Sequence, residues 1–289
     1  MRQASDRIDL HLHSVISDGT DLPEEILGAV RAAELQIFSI TDHDAIKAST
    51  VIPPLLKKKD PRFITGAEFS CKDEDGQYHI LGYGYDPEAL SIKQVVEEGH
   101  TLRIQKAMDR VAFLKTEFGF VFPEEEIEAM LALDNPGKPH LGNLMAKYGY
   151  AVNRDEAIIR YINQRKFADQ YIRPETAIQG ILGAGGIPVL AHPSYGSGDE
   201  LILHDRMDQR LQKLIAFGLQ GVEAFYSGFT KELRDEILAF AEKYDLYVTA
   251  GSDYHGKNKT VILGDTGLDP AGHYPEGLLA FLEQVRYIN

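Results

Sequence analysis

Short apolar segments of strand type alternate with helical segments over much of this 289-residue chain. Segments 37–40, 187–191 and 246–250 are examples, and polar residues follow directly after each of them. Strands that alternate with helices form parallel βα units, and a single α/β barrel is common at this length. Because functional side chains of such barrels gather at the carboxyl ends of the strands, the pattern predicts a site at that edge.

The alternation stops near residue 91 and resumes at Pro174. Between these points apolar residues such as Ile104, Met108 and Val111 recur at helical spacing. The predicted organisation is therefore a discontinuous α/β domain of residues 1–88 and 174–289, interrupted by a helical insertion of residues 89–173.

Charge and composition narrow the range of partners. The chain has 44 acidic and 30 basic residues, a formal net charge of −14, which disfavours duplex nucleic acid and membrane surfaces and favours small substrates. Cys71 is the single cysteine, so no internal disulfide forms. The polar N-terminus lacks the apolar core of a signal peptide, and the apolar stretch 181–191 is too short to span a bilayer. We expect a soluble cytoplasmic protein.

Two histidines on the first predicted strand indicate a metal site. Residues 8–13 alternate apolar and polar side chains with the period of a strand, so His11 and His13 leave the same face. Further imidazoles and carboxylates recur at or just after other predicted strands, and Glu68 follows a strand predicted at residues 63–65. The other histidines and carboxylates at such positions are His43, His192, Asp253 and His255.

Mixed imidazole and carboxylate ligands suit divalent Zn, Mn or Fe. These ligands are too many for one ion, so we expect two or three, with Mg as a further candidate. A carboxylate such as Glu68 can bridge two ions, and ions about 3.5–4 Å apart can hold a hydroxide between them. This arrangement predicts hydrolysis, most naturally of a phosphate ester.

A set of short motifs in a fixed order makes the chain similar to a known family. The motifs are D-L-H-x-H, S-D-G, T-D-H-D, G-x-E-x-S, H-I-L-G-Y, A-H-P and G-S-D-x-H. Together they resemble the polymerase and histidinol phosphatase (PHP) superfamily. The resemblance implies a distorted (β/α)7 barrel of TIM-like type and a metal-dependent phosphoesterase in which a metal-bridging hydroxide attacks phosphorus.

The resemblance also implies the ligands by position. His11, His13, Glu68 and Asp253 would hold one ion, and Asp18, His43 and His255 a second. Glu68, His79 and His192 would hold a third.

An acid must protonate the leaving alcohol, and the candidates are His192, Asp42 and Asp44. The two aspartates fit equally well as turn residues that cap the following helix. Asp9 either orients a ligand histidine or pairs with backbone. Arg110 on the insertion is expected on a solvated helix face, and Tyr226 in core packing.

The helical insertion resembles that of the branch containing nucleoside 3′,5′-bisphosphate phosphatases and 5′-to-3′ exoribonucleases. Residues 138–142, K-P-H-L-G, resemble the R-P-H-x-A segment of that branch, with Lys for Arg and Gly for Ala. The resemblance implies that the insertion caps the active site and that Lys138 and His140 contact substrate phosphate, although a helix start with a solvent-facing lysine explains both residues equally well. The substrate is then a small nucleotide or the 5′ end of a short RNA.

Three other functions compete with this hypothesis. Within the family, a histidinol-phosphatase-like or other small-molecule phosphatase is the alternative. An amidohydrolase-type C–N hydrolase also begins with His-x-His, but it requires a bridging lysine where this chain has Glu68. A non-catalytic metal-binding domain predicts decayed ligand positions, whereas every expected position here carries a competent ligand.

Overall fold

The computed structural model describes residues 7–133, 135–165, 170–195, 201–269 and 272–288. The chain divides into two compact units, of which the larger comprises residues 1–96 with 172–289 and the smaller residues 97–171. Within the described ranges, none of the helices has the length and apolar character needed to cross a membrane.

A parallel three-stranded sheet opens the larger unit. It contains β1 (Ile8–Leu12), β2 (Ile37–Ile40) and β3 (Arg62–Phe63) in that order. Every residue of β1 and β2 is buried, as expected of parallel strands covered on both faces. The polar side chains of β1 are therefore held inside the protein, where each needs a partner.

The remaining five strands form a second, mixed sheet. Its strands in order are β4 (Gly66–Asp73), β5 (Gly76–Tyr83), β6 (Ile187–Leu190), β7 (Gly221–Tyr226) and β8 (Tyr247–Gly251). β4 and β5 form a hairpin, and β5 runs antiparallel to both of its neighbours. A purely parallel arrangement of βα units is therefore wrong for this sheet, because a two-residue turn joins β4 to β5 in place of a helix.

The α/β class is confirmed, but the described strands do not form one closed barrel sheet. Isolated bridges join the two sheets, between Leu12 and Tyr254 on one side and His43 and Glu68 on the other. At each seam one partner lies in a strand, Leu12 in β1 or Glu68 in β4, and the other lies in the loop after a strand.

Amphipathic helices cover the sheets. The first begins at Pro23, where proline is preorganised for the first helical turn, and buries Ile26, Leu27 and Val30. The helix after β2 ends at Val51, and a short 3-10 turn that begins with two prolines follows at 53–55. The helices are α1 (Pro23–Ala32), α2 (Ala48–Val51), α3 (Leu90–Phe118), α4 (Glu124–Leu131), α5 (Lys138–Lys147), α6 (Arg154–Arg160), α7 (Pro174–Gly183), α8 (His204–Ala216), α9 (Lys231–Lys243) and α10 (Glu276–Gln284).

The smaller unit is helical and has a core of its own. The carboxyl-terminal part of α3, together with α4, α5 and α6, contributes to a cluster that includes Leu114, Met130, Leu141 and Met145. Arg110 was expected on a solvated face, but it is only 8% exposed. Burial lowers the pKa of Arg110 to about 10.

Gly66 and Gly28 provide a matched test of how closely the larger unit is packed. A Cβ at Gly66 would lie 2.1 Å from Ser39 Oγ and 2.7 Å from Thr41 Cγ2, whereas a Cβ at Gly28 in α1 would meet nothing within 4 Å. We expect Gly66→Ala to lower the free energy of unfolding by about 1–3 kcal/mol through overpacking. Gly28→Ala should raise it by about 0.5–1 kcal/mol through helix propensity. Urea unfolding measures both, and equal stability of the two variants would contradict the described packing.

Candidate metal centre

The nine predicted metal ligands all belong to the larger unit, and its strands bring them to one place. Glu68 was expected just after a strand at 63–65. It lies instead within β4, because the chain breaks after β3 and a new strand begins at Gly66. The elements carry them as follows: His11 on β1, His13 and Asp18 after β1, His43 after β2, Glu68 on β4, His79 on β5, His192 after β6, and Asp253 and His255 after β8.

Glu68 lies at the middle of the set and is 1% exposed. Its Oε2 faces three imidazole nitrogens at 3.1–3.2 Å, and its Oε1 faces two more at 2.9 and 3.2 Å. A carboxylate in this position can bridge two ions. The facing rings are those of His11, His13 and His43 for Oε2, and His79 and His192 for Oε1.

Two further carboxylates extend the centre from Glu68. Asp253 Oδ1 lies 3.4 Å from both His13 Nε2 and His255 Nδ1, and 3.6 Å from His11 Nε2. Asp18 Oδ1 lies 3.3 Å from His255 Nε2. His13 therefore faces carboxylates on both sides.

Three overlapping groups have donor atoms within 4.8 Å of one another, the spacing of metal ligands. One group is His11, His13 and Asp253, another is His13, Asp18, His43 and His255, and the third is His43, Glu68 and His79. Each group overlaps one of the three ligand sets implied by the sequence resemblance without being identical to it. The first lacks Glu68, the second includes His13 in addition, and the third has His43 where His192 was expected. A fourth acidic group, Asp73 to Asp75, is paired with Lys213 at the hairpin.

The residues present fit divalent cations. His11 Nε2, His13 Nε2 and Asp18 Oδ1 are buried and make no hydrogen bond, although other ligand atoms surround them. Buried polar atoms of this kind are costly unless something satisfies them. Imidazole and carboxylate together form the donor set of zinc, manganese and iron sites.

The electrostatics of the centre also indicate that it suits divalent cations. Burial raises the pKa of Glu68, but the nearby His43, His79 and His11 outweigh it and hold that pKa well below its usual range. The pKa of Asp253 is likewise held low, against its burial, by His11 and by Lys259 among others. The centre therefore keeps ionised carboxylates away from water, and cations are the groups that balance them.

Asp42 and Asp44 are engaged in the loops around the centre. Asp42 is buried and accepts hydrogen bonds from Ser14 N, Ser14 Oγ and Ser17 Oγ, each at 2.7 Å. Asp44 accepts one from Ser70 N at 2.8 Å. These contacts fix the loops that carry Asp18 and His43.

Lys138 and His140 lie at the start of α5 in the smaller unit. Lys138 Nζ donates to Asn163 Oδ1 at 2.6 Å, and His140 Nδ1 accepts from Gly137 N at 3.2 Å. His140 also lines a pocket of about 300 Å³ together with Met130. Both are thus engaged within that unit.

Several residues around the centre were missed or underestimated from the sequence. Tyr226 Oη and Lys259 Nζ donate to Asp253 Oδ2 at 2.9 and 2.6 Å, and Glu223 contacts two of the ligand histidines. Asp9 pairs with backbone, accepting from Ser252 N and Gly264 N. For Glu223 the sequence does carry a signal of a buried role, because it is a single acid within the otherwise apolar strand G-V-E-A-F.

The fold and the centre define a metal-dependent hydrolase, and comparison with known proteins identifies the family. A PHP domain is matched over residues 9–217, so the chain belongs to the PHP-domain family. The resemblance inferred from the motifs is thereby confirmed, as is the prediction of a hydrolase acting on phosphoric esters.

Three curated relatives are similar over nearly their full lengths. A 5′-3′ exoribonuclease from Haemophilus influenzae is 28% identical, covering 86% of this chain and 90% of the relative. A 3′,5′-nucleoside bisphosphate phosphatase from Chromobacterium violaceum is 27% identical, covering 86% and 87%. A phosphoribosyl 1,2-cyclic phosphate 1,2-diphosphodiesterase from Eggerthella lenta is 28% identical, covering 86% and 94%.

A solved structure extends the likeness to the fold. A protein from Bifidobacterium adolescentis described as a metal-dependent phosphoesterase superimposes with a TM-score of 0.76 at 27% identity, covering 96% of each chain. The whole chain, including the smaller unit, therefore has a counterpart in a solved protein.

Removing the Glu68 carboxylate should disable metal binding. Glu68→Ala leaves five imidazoles facing no common carboxylate, and we expect metal affinity to fall more than about 100-fold, since even groups outside the ligand set contribute about 10–100-fold. Metal content after equilibration with Mn²⁺ measures this by mass spectrometry. The matched control is Glu74→Ala in the exposed acidic group of the hairpin, which should keep full metal content. Equal metal content in both variants would contradict the assignment.

Proposed function

We propose that this protein is a metal-dependent phosphoesterase that removes phosphate from a nucleoside 3′,5′-bisphosphate or monophosphate, or from the 5′ end of short RNA. The observation that supports the chemistry best is the position of Glu68, buried between five imidazoles and within reach of more than one metal site. This arrangement suits a cluster of ions, which is the usual device for displacement at phosphorus.

The residues proposed to hold two or three divalent ions are the nine ligands described above. Asp18 supplies an oxygen donor beside His43 and His255, which favours Mn or Fe over Zn at that position. When bound, the ions polarise the phosphoryl oxygens and activate the attacking water.

The chain's own residues are proposed to position the substrate and to transfer the proton. His192 Nε2 lies 3.2 Å from Glu68 Oε1, and the His192 ring is 5.4 Å from that of Tyr226. We favour His192 as the proton donor to the leaving alcohol when only two ions are bound and its ring is not a ligand, because the hydrogen bonds of Asp42 and Asp44 are used to hold loops.

Lys259 is proposed to contact the substrate phosphate. Its ammonium group reaches Asp253 Oδ2 at the centre, while 41% of its side chain stays exposed. A cation at that position can hold an incoming phosphate beside the ligands. Lys138 and His140 are the further proposed substrate contacts.

The relatives support a small phosphorylated substrate. They support three classes of substrate about equally. Their names specify RNA ends, nucleoside bisphosphates and a phosphoribosyl cyclic phosphate at nearly equal identity. The insertion motif at residues 138–142 favours the first two. Histidinol phosphate or another small phosphate ester is the alternative.

Phosphate release from a matched panel tests the proposal. The Mn²⁺-loaded protein is assayed with a 3′,5′-bisphosphate nucleoside, a 5′-mononucleotide, a short 5′-phosphorylated RNA, the cyclic phosphate and histidinol phosphate. We expect the nucleoside bisphosphate or the RNA to give the highest kcat/KM. Preference for histidinol phosphate would overturn the nucleotide assignment, and inactivity on every ester with metal bound would overturn the phosphoesterase itself.

Lys259→Ala should weaken substrate binding without removing metal. A hydrogen bond to a charged group corresponds to about 10–100-fold in kcat/KM, and we expect most of the loss in KM. Lys257→Ala is the control, because this neighbouring lysine is also exposed, and the ion pair with Asp253 is made by Lys259. A variant that keeps the wild-type KM would show that Lys259 does not contact the substrate.

A further inference from the structure

Glu223 is a fully buried acid in the middle of β7, with 0% of its surface exposed. An acid at such a position is destabilising unless its two oxygens are hydrogen-bonded. Both oxygens have partners here. The partners belong to two predicted metal ligands that come from different strands.

The first partner is the His11 ring. Glu223 Oε1 lies 2.9 Å from His11 Nδ1, while His11 Nε2 faces Glu68 at 3.2 Å and Asp253 at 3.6 Å. Because a carboxylate only accepts, this contact places the ring proton on Nδ1. The lone pair of Nε2 is then directed at the centre.

The second partner is the backbone of His192. Glu223 Oε2 accepts a hydrogen bond from His192 N at 2.8 Å. His192 has a φ of 25°, a conformation that a residue with a side chain adopts only when its surroundings enforce it. From this turn His192 Nε2 reaches Glu68 Oε1 at 3.2 Å.

The neighbouring strand leaves room for this arrangement. A Cβ at Gly251 on β8 would lie 2.2 Å from His11 Cβ and 2.5 Å from Glu223 Oε1. Only glycine allows the three strands to approach so closely at this level. The contact between Glu223 and His11 is thus built into the packing of β1, β7 and β8.

We propose that Glu223 is a positioning residue that fixes the tautomer of His11 and the backbone turn of His192, and so presets two metal ligands with one carboxylate. The inference depends on the metal centre of the proposed function and on no particular substrate. If the protein hydrolyses none of the substrates in the panel, this inference still holds.

Glu223→Gln tests the proposal with the full-length protein. The amide keeps the size of the side chain but cannot accept hydrogen bonds at both ends. We expect Co²⁺ and Mn²⁺ to bind about 10–100-fold more weakly, and the visible absorption spectrum of the Co²⁺ protein to change. Wild-type affinity together with a wild-type spectrum would overturn the proposal.

Thr249→Val is the matched control. Thr249 is buried, is paired in register with Glu223 on β8, and has a hydroxyl without a hydrogen-bond partner. The control should keep wild-type affinity and spectrum. An equal loss of affinity in the control would show a general packing effect and overturn the specific role.

A further test uses the wild-type protein and therefore does not require that a variant folds. Nitrogen-15 NMR of the Zn²⁺-loaded protein reports which nitrogen of His11 carries the proton. We expect the proton on Nδ1 and none on Nε2. The opposite tautomer would overturn the proposal.

Discussion

An ionised carboxylate removed from water must be balanced by positive charge or by hydrogen bonds. Glu68 imposes this requirement on the larger unit, because it is buried in the space between the two sheets and faces five imidazoles. Strands β1 and β5 and the loops after β1, β2, β6 and β8 supply those rings and the further carboxylates. Ligands therefore lie next to both bridges between the two sheets, Leu12 with Tyr254 and His43 with Glu68.

Each hydrogen bond around the centre fixes a different piece of chain. Asp42 holds the turn that carries Asp18, Asp9 ties β1 to the segment after β8, and Glu223 connects β1 to the end of β6. These three buried acids thus hold secondary-structure elements together, while the ligand side chains point into the centre. Rigid support of this kind is what a metal site needs to keep its geometry.

Much of this arrangement was predictable from the sequence, because its signals are local. The two-residue period of segment 8–13 placed His11 and His13 on one face, and polar residues after apolar runs located His43, His192 and Asp253. What the sequence could not provide was pairing between distant segments. The antiparallel pairing of β5 with β6, the break between β3 and β4, and the contacts of Glu223 and Lys259 depend on which strands become neighbours, and no local pattern specifies that.

The hydrogen bond between Asp9 and Ser252 spans 243 positions of the chain. The ribosome therefore makes His11 and His13 long before Asp253 and His255. Contacts of such sequence separation carry a large loop-closure entropy, and they slow folding. A translation product that stops before residue 253 lacks donors in two of the three ligand groups. The complete centre therefore distinguishes a chain synthesised past His255 from any shorter product.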